Sequence, residues 1–159
     1  MQRYGVSYRF GTGFKRCIKY CVSAYMLGLA CLAQAFPQGE IPLGQYQLLY
    51  SVLNSTSLPA EIAETYGFKR KADEVLVNIT VQETQNKRAV PVQLSGVAKN
   101  LMQQQRALVF REIKEDGAVY YLATLRTTER EVFHFLLNVT LPNGKVEKPT
   151  FTQELFVNP

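Results

Sequence analysis

Apolar side chains recur at every second position through most of the chain, and that period constrains the fold more than any other sequence feature. Val75, Val77, Ile79 and Val81 share one parity, while Asn78, Thr80 and Gln82 share the other. Successive side chains of a strand point to opposite faces, so this pattern is that of a half-buried strand. It appears upstream in Tyr46, Leu48, Tyr50 and Val52, and downstream in Val90, Val92 and Leu94. It returns in 106–113, with Leu108 and Phe110 prominent, and in Val119, Tyr121, Ala123 and Leu125. Phe133, Phe135, Leu137 and Val139 form a further set, and 151–157 closes the series with Leu155 and Val157 facing inward. Turn residues punctuate the runs: Gln85-Asn86-Lys87, Glu115-Asp116-Gly117 and Pro142-Asn143-Gly144. Pro91 lacks the amide a ladder needs, which places its strand at an edge, and Ser95-Gly96 allows a bend.

About seven strands at this spacing, without the long helices of a parallel sheet, predict an all-β domain. The expected architecture is an immunoglobulin-like antiparallel β-sandwich, with a small barrel as competitor. The Cys…Trp…Cys hallmark of true immunoglobulin domains is ruled out, because the chain has no Trp and its cysteines all precede residue 36. One short helix is expected near residues 59–66. Pro59 suits a first helical position, Glu61 suits the first turn, Ile62 and Tyr66 share a face, and Gly67 suits the stop. Residues 36–44, with two prolines and two glycines, predict an extended lead-in before a domain over 45–159.

The N-terminal segment has a different character. Arg3, Arg9, Lys15, Arg16 and Lys19 are its only charges, and an apolar run over 20–32 follows them. Ala33-Gln34-Ala35 then places small side chains where a signal peptidase needs them. Residues 1–35 are therefore expected to be a secretory signal peptide cleaved after Ala35, which places the mature protein in the periplasm. The run is too short for a membrane-spanning helix, and no stable span is expected in the mature form. Gly28-Leu29-Ala30-Cys31 departs from a lipoprotein site at its leading position.

Removing that segment changes the composition. The net charge of +5 falls to zero, because 13 basic residues meet 13 acidic ones from Phe36 onward. A basic footprint for nucleic acid is then missing, and no nucleic-acid partner is expected. Cys17, Cys21 and Cys31 leave with the segment, so no thiol chemistry is expected of the remainder. His134 is the only histidine, which makes a metal site poor value. No Gly-x-Ser-x-Gly elbow or phosphate-binding glycine loop occurs. Carboxylate pairs such as Glu61/Glu64, Asp73/Glu74 and Glu129/Glu131 read as solvated charge. No catalytic, cofactor-binding or metal-binding residue is assigned.

Two candidate surfaces remain. Polar and basic groups concentrate in Asn54, Ser55, Thr56 and Ser57 and in Lys69, Arg70 and Lys71, a possible interaction surface. Tyr46, Tyr50, Tyr66 and Tyr121 are possible linings of an apolar-ligand pocket. The expected role is a non-catalytic binding or interaction module, with an envelope protein or a small envelope ligand as partner. A small apolar-ligand binder and a hydrolytic enzyme are the alternatives.

Several separated stretches, in order, resemble the DUF4426 family of small exported bacterial proteins. They are Tyr50 to Pro59, Tyr66 to Lys71, Asn78-Ile79-Thr80-Val81, Phe110-Arg111-Glu112-Ile113, Ala118 to Thr124, and Phe151-Thr152-Gln153. The resemblance covers approximately residues 40–158. It implies a small periplasmic protein of Gram-negative bacteria and assigns no activity, so no catalytic residue carries over. Family members with a histidine before the tyrosine matching Tyr50 differ from this chain, which has Leu49 there.

Overall fold

Tight turns form where the sequence places its glycines. Asp116 and Gly117 both adopt positive φ, at 30° and 86°, as a two-residue hairpin with the right-handed twist of its strands requires. The structure is a computed structural model that describes residues 39–127 and 130–156. The expected signal segment 1–35 and the inward position expected for Val157 lie outside the described residues.

Among the described residues, ten strands and one short helix follow one another. They are β1 (Gly39–Leu43), β2 (Tyr46–Asn54), α1 (Ala60–Thr65), β3 (Glu74–Glu83), β4 (Gln93–Asn100) and β5 (Gln105–Leu108). Then come β6 (Arg111–Glu115), β7 (Ala118–Arg126), β8 (Glu131–Thr140), β9 (Val146–Glu147) and β10 (Thr150–Leu155). Sheet A runs β1-β2-β3-β7-β6 and sheet B runs β10-β8-β4-β5, with β9 also pairing β8. Every strand pairing is antiparallel.

The expected two-period strands form, and their number exceeds seven for identifiable reasons. The lead-in becomes β1 because Gly44, at φ 72°, turns the chain back so that Leu43 faces Tyr46. The run 106–113 is two strands in different sheets, β5 in B and β6 in A, with the crossing at Val109-Phe110. Leu108 and Phe110 keep the parity of a single strand, so periodicity alone does not reveal the crossing. Pro91 does not mark an edge strand. It lies in the irregular stretch before β4, and β4 is internal, flanked by β8 and β5. Nor is the β4 ladder interrupted at Ser95-Gly96. Its register with β8 is unbroken there, and Gly96 lies against Leu137, where a Cβ would come within 2.6 Å of the leucine Cδ2.

In α1, Pro59 is the N-cap rather than the first helical residue, and Ala63 is the buried position. The stop is at Gly67 as expected. At φ 65° its amide donates to the Glu64 carbonyl (3.0 Å), and the Phe68 amide donates to the Ala63 carbonyl (2.7 Å). That pair of bonds is a Schellman motif, which satisfies two carbonyls the helix would leave open.

The sheets share one buried apolar cluster. Sheet A contributes Leu48, Val77, Ile79 and Val81, and sheet B contributes Ala98, Phe133, Phe135 and Val139, all essentially without solvent contact. An aromatic stack crosses between them. Tyr50 of β2 lies on Phe151 of β10 at 3.9 Å between centroids, and Phe151 lies on Phe135 of β8 at 4.5 Å. Each large side chain buried in such a core contributes roughly 1.5–3 kcal/mol, and aromatic pairing adds about 0.5–1.5 kcal/mol.

Candidate functional site

One end of the two sheets gathers most of the polar side chains that sequence reasoning singled out. After β2, Asn54 leads into a 3-10 turn over Ser55–Ser57, and Ser55 is buried there with 2% exposure. Its hydroxyl donates to the Lys71 carbonyl (2.8 Å) and accepts from the Lys71 amide (2.9 Å). Arg70 Nη2 donates to the Thr56 carbonyl at 2.7 Å. Two segments about fifteen residues apart in sequence are thus one surface. A short helix ending in a glycine brings the chain back quickly enough for Ser55 to meet Lys71.

The named residues divide by role within that surface. Ser55 is structural, since both its bonds point inward to backbone. Lys71 pairs with Glu74 at 2.5 Å, and Arg70 is held by Thr56. Among the described residues Lys69 carries no ion pair or hydrogen bond through its side chain, so its charge is fully available.

A polar network missed by sequence reasoning continues this end into sheet B. Arg126 pairs with Asp73 at 2.5 Å, and the Thr127 amide donates to the Asp73 carbonyl at 2.9 Å. Arg106 donates to the Arg126 carbonyl, approaches Glu131 at 4.0 Å, and lies over the Phe133 ring at 5.5 Å. Asn100, 1% exposed, donates from Nδ2 to Gln104 Oε1 and to Glu131 Oε1, both at 2.9 Å. Its Oδ1 accepts from the Gln104 amide, locking a turn that presents Leu101 and Met102 to solvent. Arg130 pairs with Glu154 at 2.5 Å and lies over Phe156. That hydrogen bond holds the Glu154 carboxyl below the usual carboxylate range and raises the Arg130 guanidinium. The cation is the more exposed partner in each of these pairs, so the end presents positive groups outward. Asp73 and Arg126 lie 53 residues apart in sequence, and no local motif announces their meeting.

The four tyrosines do not gather into one lining. Tyr46 is buried beside the β1–β2 turn, and Tyr50 is in the aromatic stack. Tyr66 caps α1. Tyr121 is buried, and its hydroxyl accepts from the Val92 amide (2.8 Å) while facing the Val92 carbonyl (2.9 Å) and Glu112 (3.0 Å). Burial raises the Tyr121 phenol above its ordinary value, and the Val92 backbone bond works against that. Glu112 is held low by Lys114 first and by Tyr121 second. None of the four tyrosines lines the shallow groove on the outer face of sheet B, which holds about 330 Å³.

His134 lies on that outer face, where its Nδ1 is 2.8 Å from the Thr152 hydroxyl. No group of three or more His, Cys, Asp or Glu able to hold a metal occurs among the described residues. Nor does any helix among them have the length and apolarity to cross a membrane.

Two antiparallel sheets on one aromatic core, with a polar end built from loops and a single short helix, define a small all-β domain. The chain belongs to the DUF4426 family, a domain of unknown function, whose model matches residues 41–158. The crystal structure of a DUF4426 family protein from Pseudomonas aeruginosa PAO1 is similar, at 25% identity and a TM-score of 0.69, covering 77% of this chain and 98% of that one. FetP of uropathogenic Escherichia coli strain F11, recombinantly expressed in the E. coli periplasm, is similar at 9% identity and a TM-score of 0.56. That match covers 79% of this chain and 97% of FetP. A copper-bound variant of FetP matches at 10% identity and a TM-score of 0.51, over 76% of this chain and 94% of that one. At those two identities the likeness is one of fold alone. No sequence among the curated proteins matches the chain.

Proposed function

We propose that this protein is a periplasmic interaction module, an immunoglobulin-like sandwich that docks an envelope protein through the polar end of its sheets. In this reading residues 1–35 direct export and are removed after Ala35, and the domain that follows, β1 included, acts without chemistry of its own. The observation that carries it is the meeting of the Asn54–Ser57 turn with Lys69–Lys71 through Ser55 and Arg70. A loop pair tied together through the buried Ser55 hydroxyl presents its remaining groups in one arrangement, which lowers the ordering cost of binding. Thr56, Ser57, Lys69 and Arg70 are the groups offered to a partner. Fold likeness to a protein expressed in the periplasm supports the compartment.

The apolar-ligand reading has less behind it, because Tyr46, Tyr50 and Tyr121 pack or bond within the domain. The test is crosslinking and affinity capture from the native envelope fraction with the chain and its K69A/R70A variant, both checked for equal melting temperature. A specific partner captured by the first and at least tenfold depleted in the second is the expected result. Equal capture by both, or no specific partner with ample folded bait, refutes docking at this end.

A further inference from the structure

The outer face of sheet B lies apart from that end and has its own chemistry. Cross-strand register stacks three rows there: Ser95 beside Asn138, Val97 beside Leu136 and Thr150, and Lys99 beside His134 and Thr152. The groove covers the first two rows and adds Lys148 from the β9–β10 connection. Leu136 is an exposed large apolar side chain at 39% exposure, and with Val97 it makes an apolar strip across the groove.

The polar groups around that strip are uncommitted. Among the described residues, Ser95, Asn138, Thr150 and Lys148 make no side-chain hydrogen bond or ion pair. Most cationic side chains of the domain are engaged by carboxylates, amides or carbonyls. Four have no such partner among the described residues, Lys69, Arg88, Lys99 and Lys148, and two of these four flank this face. Glu154, the carboxylate on the same face of β10, is already bound by Arg130. The groove is therefore bordered by positive charge and neutral donors, and no carboxylate lines it. Its volume is at the small end for a ligand site.

We propose that this groove binds a small amphiphilic anion, a carboxylate or phosphate monoester bearing a short aliphatic chain. Lys148 Nζ takes the anionic head, assisted by the Ser95 and Thr150 hydroxyls and the Asn138 amide. The aliphatic portion lies on Val97 and Leu136. Lys99 supplies a longer-range positive field from the adjacent row. The site is independent of the docking end, and either can fail without the other.

The experiment is a titration of the 15N-labelled full chain with hexanoate, hexyl phosphate, hexanol and hexylammonium, followed by amide chemical shifts. Saturable shifts centred on Ser95, Val97, Leu136 and Asn138 are expected with the two anions alone. Whichever anion binds more tightly identifies the head group. Lys148→Met, which keeps the stem and removes the charge, is expected to weaken that binding about tenfold, the worth of one charge-assisted contact. The amide spectrum of the variant away from the groove reports that it is folded. Equal shifts with hexanol, shifts centred elsewhere, non-saturable shifts, or an unchanged affinity in Lys148→Met would each overturn the proposal.

Discussion

Replacing Tyr121 by Phe removes one oxygen from the structure and disconnects two segments. The Tyr121 ring is buried in sheet A at 4% exposure, and its hydroxyl reaches the backbone of Val92 just before β4 of sheet B. That oxygen accepts from the Val92 amide, and its single proton goes to either the Val92 carbonyl or Glu112, so two hydrogen bonds are lost rather than three. At a net value near 1 kcal/mol each, Tyr121→Phe is expected to destabilise the domain by about 2 kcal/mol. For a domain of this size that lowers the melting temperature by about 6–10 °C.

The pH dependence gives a second, independent readout. Burial raises the Tyr121 phenol, so its contribution is complete below the unfolded phenol value of about 10 and is lost as pH rises through the folded value. Tyr121→Phe is therefore expected to lose less stability than the parent above about pH 10. Tyr120, raised by burial and by Glu115, contributes to the slope that remains. Urea unfolding followed by circular dichroism at pH 7 and at pH 10.5 measures both effects. A loss below about 0.5 kcal/mol at pH 7, or identical alkaline slopes, would refute the reasoning.

Three further outcomes are expected. Gly96→Ala places a Cβ 2.6 Å from Leu137 Cδ2 and 2.9 Å from the Leu136 carbonyl, and the backbone atom has nowhere to go. A loss of about 1–3 kcal/mol in urea unfolding follows, and a neutral result would show that β4 can move away from β8. Ser55→Ala deletes both bonds to Lys71 and is expected to cost about 2 kcal/mol while accelerating hydrogen exchange at the Lys71 amide; unchanged exchange there would mean the turn is held by other contacts. Glu154→Gln removes a carboxylate that Arg130 holds low, whose contribution is present above the unfolded carboxylate value and lost as pH falls through the folded one. The variant should show a shallower fall in melting temperature between pH 5 and pH 3, and superimposable profiles would exclude the pair as a contributor.

Parity was enough to identify most of the strands and their inward residues. Val75, Val77, Ile79 and Val81 are all buried as their spacing requires, and β8 alternates from Phe133 to Val139 without exception. Several positions of positive φ were equally plain, because Gly67, Gly117 and Gly144 carry their own signal, whereas Lys87 and Gln103 adopt it without a glycine. The crossing from β5 to β6 was hidden because Leu108 and Phe110 face the core from either side of it, so the apolar period continues while the hydrogen-bond partner changes. Gly96 was misleading in a similar way. It reads as a bend and is instead a place where β8 packs too closely for a side chain. For the candidate site, the basic and hydroxyl residues could be named from sequence, whereas the Ser55 bonds, the Asp73–Arg126 pair and the Asn100–Glu131 contact join residues from different strands. Local pattern carries no information about such pairings.

The sheet crossing also bears on how the domain avoids sticking to other chains. A single segment, β5 to β6, forms the outermost strand of both sheets on one flank, and four of the five residues of β6 are charged. An incoming strand would have to desolvate that alternation of Arg111, Glu112, Lys114 and Glu115 before gaining any backbone bond. On the other flank β1 carries Pro42, which offers no amide donor. Of the two borders of sheet B, β10 is the longer, with six residues, Thr-Phe-Thr-Gln-Glu-Leu, against four in β5, and it carries one charge and no proline. Aggregation by strand addition would therefore begin at β10, and a lysine placed at Thr152 would be the economical way to suppress it.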